Sequence, residues 1–183
     1  MARAELHRRL IAAFRWRTDR SGESEVADVT GWWRDPLLLA DLGAGLADLY
    51  RDSTPTVVVG VESRGCVLGP LVAVSLGVGF VEVRKNPDQV LGSEQWLHAT
   101  TPPDYRDRHL TLGLRRELLA PGDRVLLADD WIATGGQAAG VRRMVDEVGG
   151  CWIGVAAVVD ALDSHEIRRV LGVRSLVRVR QLS

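Results

Sequence analysis

Most of the structural information in this sequence lies in the segment Val125-Leu-Leu-Ala-Asp-Asp-Trp-Ile-Ala-Thr-Gly-Gly-Gln-Ala138. Its first residues belong to an apolar run, 124–128, that predicts a strand buried on both faces. Two acids and a short Thr-Gly-Gly turn follow, and residues 137–148 have the pattern of a helix. Because the carboxyl ends of strands border the crevice where open α/β sheets bind ligands, this segment predicts a ligand site.

The Thr-Gly-Gly turn has the chemistry of a phosphate site. Gly135 and Gly136 let the backbone approach a phosphate and direct successive N–H groups towards it. Thr134 adds a hydroxyl donor, and the positive end of the helix dipole lies at the same place. The segment lacks both the Gly-Lys-Ser/Thr of a Walker A loop and the dinucleotide-binding fingerprint. We therefore expect the ribose 5-phosphate of a phosphorylated ribose to bind on residues 125–138.

The two acids before the turn, Asp129 and Asp130, repel each other. At a separation of ~4 Å and an effective dielectric of about 20, the repulsion is roughly 4 kcal/mol. Three things could offset it: the vicinal hydroxyls of a ribose, a Mg²⁺ ion with its waters, or protonation of one acid. The residues alone do not choose among them.

The rest of the chain alternates between strand-like and helix-like patterns. Further strands are predicted at 56–61, 79–85, 152–159 and 175–182. Further helices are predicted at 5–14, 36–50, 65–76 and 164–171, with Asp35 as the N-cap of the second. Residues 18–25 are expected to be a polar link, 86–108 one long loop, and 110–118 strand, helix or both. The alternation predicts an α/β fold with a mostly parallel sheet and right-handed crossovers.

Composition and charge favour one ordinary globular domain. The 183 residues are 46% hydrophobic and 26% charged, and the formal net charge is −1. That charge provides no basic field for nucleic acid, and no apolar run reaches the ~18 residues that span a bilayer. Cys66 and Cys151 lie far apart beside apolar or small residues, which predicts reduced, buried thiols in a cytoplasmic protein.

The segment 125–138 resembles the motif with which type I phosphoribosyltransferases bind 5-phosphoribosyl 1-pyrophosphate (PRPP). A second stretch, Gly60-Val-Glu-Ser-Arg-Gly-Cys-Val-Leu-Gly69, resembles the pyrophosphate loop of that family, and Leu76–Lys85 resembles the strand after it. Weaker similarities lie at 28–36 and 121–125, so the resemblance covers roughly residues 26–182. It is greatest to the branch of the family that uses adenine.

The resemblance implies a fold and an activity. The fold is a single domain, 1–183, whose parallel sheet is flanked by helices, with a small N-terminal hood at 1–35 and a flexible flap at 86–108. The activity is the Mg²⁺-dependent joining of a purine-type base, adenine first, to PRPP with release of pyrophosphate. The family is cytoplasmic and usually homodimeric. Trp16 and the pair Trp32–Trp33 could form such an interface or belong to the core.

The resemblance also implies roles for individual residues. Asp129 and Asp130 would hold the ribose hydroxyls and a water-bound Mg²⁺. The 5′-phosphate would bind Ala133, Thr134, Gly135, Gly136, Gln137 and Ala138. The pyrophosphate loop would be Glu62, Ser63, Arg64 and Gly65, with a non-proline cis peptide at Glu62–Ser63 or Ser63–Arg64. Arg64 and Lys85 would bind pyrophosphate oxygens, and the flap acid Asp104 would assist catalysis unless it is a solvated loop acid.

Three departures from the family pattern leave the base open. Gln137 replaces a threonine beside the phosphate, and Trp131 replaces a smaller aliphatic residue, where it either stacks on a base or fills the pocket. Val26 and Ala27 stand where the family has Phe-Arg, and with Trp131 they are the predicted base-binding residues. The alternatives are therefore a transferase for another base and a non-catalytic protein that binds PRPP or a nucleotide for regulation.

Overall fold

The computed structural model describes residues 3–18, 22, 25–87, 96–101 and 110–182. Within these ranges the strands are β1 (Arg15–Thr18), β2 (Glu25–Asp28), β3 (Val57–Val61), β4 (Gly79–Lys85), β5 (Trp96–Thr100), β6 (Thr111–Arg115), β7 (Arg124–Ile132), β8 (Cys151–Asp160) and β9 (Val173–Arg178). The helices are α1 (Arg3–Ala13), α2 (Thr30–Arg34), α3 (Pro36–Asp48), α4 (Gly65–Leu76), α5 (Gly136–Glu147) and α6 (His165–Leu171). Short 3₁₀ turns lie at Arg51–Ser53, Arg116–Leu118 and Val179–Gln181.

The main sheet has the strand order β5-β6-β4-β3-β7-β8-β9, and β1 and β2 form a separate hairpin. In this spatial order, neighbouring strands are parallel throughout the set β4-β3-β7-β8-β9. Strand β6 is antiparallel to both of its neighbours, β4 and β5. The predicted α/β fold with a mostly parallel sheet is confirmed. Strand β7 is the middle one of the five parallel strands β4-β3-β7-β8-β9. Because these strands run in the same direction, the loops that follow β3, β4, β7 and β8 meet at one edge of the sheet.

Two apolar layers cover the sheet. One packs α1, α3 and α4 on one face, and Leu126 of β7 belongs to it. The other packs α5 on the opposite face and includes Leu127. Adjacent residues reach opposite layers because successive side chains of a strand point to opposite faces. All five residues of β3 are buried, as the continuous apolar run predicts.

The predicted helix ends are also present. Asp35 caps α3, since its Oδ1 accepts hydrogen bonds from the N–H groups of Leu37 (2.9 Å) and Leu38 (3.0 Å). Gly77 ends α4 with φ of 72°, a left-handed conformation that suits glycine. Ser164 caps α6 by accepting from the N–H of Ile167 at 3.2 Å.

Four local predictions are wrong. Strand β7 does not stop before the acids but continues through them to Ile132, because its pairing with β8 continues as far as Asp160. The expected long loop contains β5, whose buried Leu97 and Ala99 alternate with exposed residues. The expected link at 18–25 does not follow the first helix directly but joins β1 to β2, and the last strand ends at Arg178 instead of 182.

Residues 110–118 contain both of the elements considered for them, strand β6 and a 3₁₀ turn. The two cysteines are free thiols, but Cys66 is only half-buried and Cys151 is exposed, so the expectation that both are buried is wrong. None of the helices in the described ranges combines the length and apolar character that crossing a bilayer requires.

Candidate active site

A cavity of about 720 Å³ opens beside the carboxyl end of β7. The segment from Ala133 to Ala138 lines it, and so do four residues of the hairpin: Trp16, Glu25, Val26 and Ala27. Asp129, Trp131 and Arg64 also reach it. The fold therefore brings together predicted residues that lie more than a hundred positions apart in sequence.

The segment expected to bind phosphate, residues 133–138, is called the phosphate loop below, and its backbone conformation defines the site. Gly135 has φ of 79° and forms the N-cap of α5, and the hydroxyl oxygen of Thr134 accepts the N–H of Gly136 at 3.3 Å. The amides of Gln137 and Ala138 lie in the first helical turn, where a helix offers them no acceptor. Inward-facing amides at the positive end of α5 suit a phosphate.

Helix α6 packs against this loop. A Cβ atom at Gly135 would lie 2.9 Å from both Ile167 Cγ2 and Leu171 Cδ1. The helix is itself tied to the end of β8, because Arg168 Nε lies 2.6 Å from the buried carboxylate of Asp160. Asp160 Oδ1 also accepts the N–H of Leu162 at 3.0 Å. The ion pair between Asp160 and Arg168 thus fixes α6, and α6 in turn packs against the phosphate loop.

The two acids of β7 have different surroundings. Asp129 lines the cavity, and burial, together with the neighbouring charge of Asp130, raises its pKa well above the ordinary value of 3.8. Asp130 is only 7% exposed, and its Oδ2 lies 2.7 Å from Arg64 Nη1. Asp130 is therefore turned towards the second loop, while Asp129 faces the space where a sugar would lie.

The second loop, 62–64, joins β3 to α4 and contains a cis peptide between Glu62 and Ser63, which is one of the two positions expected. Ser63 is exposed and Gly65 begins α4. The loop returns so close to its strand that a Cβ atom at Gly60 would lie 2.6 Å from the carbonyl carbon of Gly65. Glycine is therefore required at position 60 for this close approach.

Neither Lys85 nor Glu62 lines the cavity. Glu62 Oε2 accepts the N–H of Lys85 at 2.8 Å, and the N–H of Glu62 donates to Val83 at 2.9 Å. Glu62 thus fixes the loop to the end of β4. The positive charge of Lys85 partly offsets the rise in the pKa of Asp129, which places that charge near the acids.

The hairpin contributes cavity residues that the sequence analysis did not assign to it. Trp16 was expected at an interface or in the core, and Glu25 was given no role. Trp16 pairs with Ala27 across the hairpin, and its Nε1 donates to the carbonyl of Leu182 at 2.6 Å. Polar turn-forming residues between two four-residue segments were a usable hairpin signal.

Other predicted residues have no place in the cavity. Trp32 is fully buried in the core, where its Nε1 donates to the carbonyl of Leu10 at 3.0 Å, so it is not available for an interface. Burial raises the pKa of Cys66 to about 11, so its thiol is protonated at neutral pH and inert, as expected. Asp104 lies outside the described residues.

The pair of acids fits a divalent cation. Mg²⁺ prefers oxygen ligands and commonly uses one or two carboxylates, several waters and substrate phosphates. Burial first, and then the charge of Asp130, raise the pKa of Asp129, and a nearby cation would favour its ionised form. Within the described ranges no group of three or more His, Cys, Asp or Glu side chains gathers as a metal site, so these two acids are the residues considered.

A family model for the phosphoribosyl transferase domain matches residues 34–171. The adenine phosphoribosyltransferase of Solibacter usitatus is 36% identical over 133 residues, which are 73% of this chain and 74% of that protein. The crystal structure of adenine phosphoribosyltransferase from Rhodothermus marinus is 31% identical, with a TM-score of 0.80 over 96% of this chain and 99% of that one.

The APRTase of Giardia lamblia complexed with 9-deazaadenine is 28% identical, with a TM-score of 0.79 over 97% of this chain and 98% of that one. The family model spans more than half of the chain, and it includes both motifs on which the resemblance depended. This chain therefore belongs to the phosphoribosyltransferase family.

Proposed function

We propose that this protein transfers a phosphoribosyl group from PRPP to a purine base, adenine first, and releases pyrophosphate. The observation that carries the proposal is the cavity at β7. Its lining combines backbone amides suited to a phosphate, an acid, and aromatic and apolar side chains. A phosphorylated ribose joined to a planar base offers a matching group to each of them.

The reaction forms a bond between a ring nitrogen of the base and C1 of the ribose, and that nitrogen releases its N–H proton to the pyrophosphate or to solvent. The bond from C1 to the pyrophosphate oxygen breaks, and its electron pair leaves with the pyrophosphate. Positive charge develops on the sugar and negative charge on the leaving group, so the site needs an anion near one and cations near the other. We assign the first role to Asp129 and the second to Arg64, while the charge of Lys85 acts near the acids without lining the cavity.

Arg64 has a particular part in this scheme. Its guanidinium is 2.7 Å from Asp130, yet the side chain remains 46% exposed at the cavity. An incoming pyrophosphate would offer it a doubly charged partner in place of one carboxylate. Asp130 then becomes available to the sugar hydroxyls or to Mg²⁺, which would supply further positive charge to the leaving group.

The first test is turnover. The protein is incubated with PRPP, Mg²⁺ and, separately, adenine, hypoxanthine, guanine and pyrimidine bases, and pyrophosphate and nucleotide are measured. We expect equal amounts of both with adenine. Turnover with another base alone would correct the substrate. Stabilisation by PRPP in a thermal-shift assay without any turnover would instead support the non-catalytic binding protein.

A second test isolates the pyrophosphate end. Arg64→Gln should weaken binding of pyrophosphate by about 10- to 100-fold, the loss of a charge-assisted hydrogen bond, and leave ribose 5-phosphate binding unchanged. Arg115→Gln is a matched control, because Arg115 is 44% exposed and pairs with Glu117 away from the cavity. Equal pyrophosphate affinity in the two variants would contradict the role of Arg64.

The state of the protein in the cell is also a proposal. The resemblance to the family supports a cytoplasmic homodimer, and two free thiols suit a reducing compartment. Sedimentation equilibrium across a range of concentrations tests the dimer. A monomer at all concentrations would contradict it.

A further inference from the structure

Two tryptophans that line the cavity meet nearly at a right angle. Trp131 belongs to the central strand β7, and Trp16 belongs to the outer hairpin. Their ring centroids are 6.0 Å apart and their planes are inclined by 80°. Both side chains line the cavity, and Trp16 remains 36% exposed. The two indoles form an aromatic corner, and this name is kept below for Trp16 and Trp131.

The aromatic corner lies next to the acid that would hold the sugar. Trp131 follows Asp129 by two residues on the same strand, which is a rise of about 7 Å. A sugar held at Asp129, with its phosphate on residues 133–138, would therefore direct a group attached to C1 into the space bounded by Trp131 and Trp16.

The geometry limits how a planar ring can enter. A ring held between two others needs parallel planes about 7 Å apart, twice the contact distance between carbon atoms. Trp16 and Trp131 are perpendicular, so they cannot enclose a ring in this way. Phe14 lies nearly parallel to Trp131, but their centroids are 6.3 Å apart, which leaves no room for another ring. A base would lie with its face on one indole and its edge against the other.

We propose that Trp16 contacts the base and, with Trp131, sets the affinity for it. This inference rests on the proposed function. Trp16 is suited to the role because it is held in place from two sides. Its Nε1 donates to the carbonyl of Leu182, and its ring meets Phe14 edge-on with a centroid distance of 5.1 Å. An aromatic surface that is already ordered loses little conformational entropy when a ligand stacks on it.

Equilibrium binding of two ligands separates the base from the rest of the nucleotide. Adenosine monophosphate and ribose 5-phosphate share the sugar and the phosphate, so the ratio of their affinities reports the base alone. Isothermal titration gives this ratio for the unsubstituted protein and for Trp16→Ala. We expect Trp16→Ala to bind the nucleotide about 5- to 150-fold more weakly, the range for loss of one base–aromatic stack, with ribose 5-phosphate affinity unchanged.

Two further variants exclude a merely structural effect. Trp16→Phe keeps an aromatic face but loses the hydrogen bond to Leu182, and we expect it to recover most of the nucleotide affinity. Trp33→Phe is the matched control, because Trp33 packs edge-on against Trp32 and does not line the cavity. It should leave both affinities unchanged.

The outcomes that overturn the inference differ from those that overturn the function. An unchanged affinity ratio in Trp16→Ala would overturn the inference, as would a loss in Trp16→Phe equal to that in Trp16→Ala. If the unsubstituted protein binds the nucleotide no better than ribose 5-phosphate, the corner takes no base and the phosphate site stands. If it binds neither PRPP nor ribose 5-phosphate, the proposed function fails and the inference fails with it.

Discussion

The phosphate loop and the hairpin line the same cavity but are held in different ways. The loop follows the central strand of the sheet, begins a helix of twelve residues and is backed by α6. The hairpin has two strands of four residues, and all four residues of β1 are exposed. It is attached to the rest of the protein through the ring of Trp16 and its hydrogen bond to Leu182, while an ion pair between Arg17 and Asp28 joins its own two strands.

The difference follows the boundary between the part of the chain that the family model matches and the part that precedes it. The family model begins at residue 34, so it includes the phosphate loop and omits the hairpin. A phosphate is recognised by backbone amides, whose positions depend on the fold more than on the side chains. A base is recognised by the surfaces of side chains, and those can change while the fold persists. Substitutions in the phosphate loop and in the hairpin should therefore have different effects on stability and binding.

The largest expected effect is on the support behind the phosphate loop. Arg168→Leu removes the partner of Asp160, a carboxylate that is only 4% exposed, so the folded state would contain an unpaired buried charge. We expect the free energy of unfolding to fall by about 3–5 kcal/mol in chemical denaturation. Asp160→Asn in the same chain should restore part of the loss, because it removes the charge. A fall below about 1 kcal/mol, the range for a surface ion pair, would contradict this support.

A smaller effect is expected within the loop itself. Gly135→Ala introduces a Cβ at φ of 79° and 2.9 Å from side chains of α6, and we expect it to cost about 2 kcal/mol of stability and to weaken ribose 5-phosphate binding. Gly122→Ala is the matched control, because Gly122 also has positive φ, 84°, but nothing lies within 4 Å of its Cβ position. It should cost about 1 kcal/mol and leave binding unchanged. Equal costs in the two variants would mean that α6 does not constrain the loop.

The smallest effect compares one acid from each region, without Mg²⁺ or PRPP. Hydrogen bonds from Thr30 lower the pKa of Asp28 in the hairpin from 3.8 to about 2, whereas burial raises the pKa of Asp129. Asp28 therefore contributes stability that is present above pH ~4 and is lost as the pH falls towards 2. Asp129 has the opposite sign: its ionisation opposes folding, and the penalty appears as the pH rises from ~4 through its folded-state pKa.

Chemical denaturation between pH 2 and 7 measures both contributions as differences from the Asn variants. Asp129→Asn should stabilise the protein at neutral pH and have no effect near pH 2, while Asp28→Asn should destabilise it at neutral pH. If both substitutions changed the free energy of unfolding in the same direction at neutral pH, the contrast between the two regions would be contradicted.

The sequence alone predicted the buried parallel strands, five of the helices and the segment that we propose binds phosphate. Residues 125–138 place an apolar strand, two acids, glycines and a helix start in consecutive positions, and a site built from neighbours can be recognised without knowing the fold. The same holds for the loop at 62–65 and for the caps at Asp35 and Ser164. Continuous apolar runs predicted buried strands because a central parallel strand is covered on both faces.

Only the tertiary structure decided the base end of the cavity and the partners of the charged groups. Strand β7 extends through the acids because β8 continues to pair with it, which local preferences do not reveal. Arg64 lies against Asp130, 66 positions later in the chain, and Trp16 is held by Leu182 near the other end of the chain. These contacts join residues distant in sequence, and their existence depends on how the whole chain packs. The phosphate site is local and could be predicted, whereas the aromatic corner is made of two distant segments and could not.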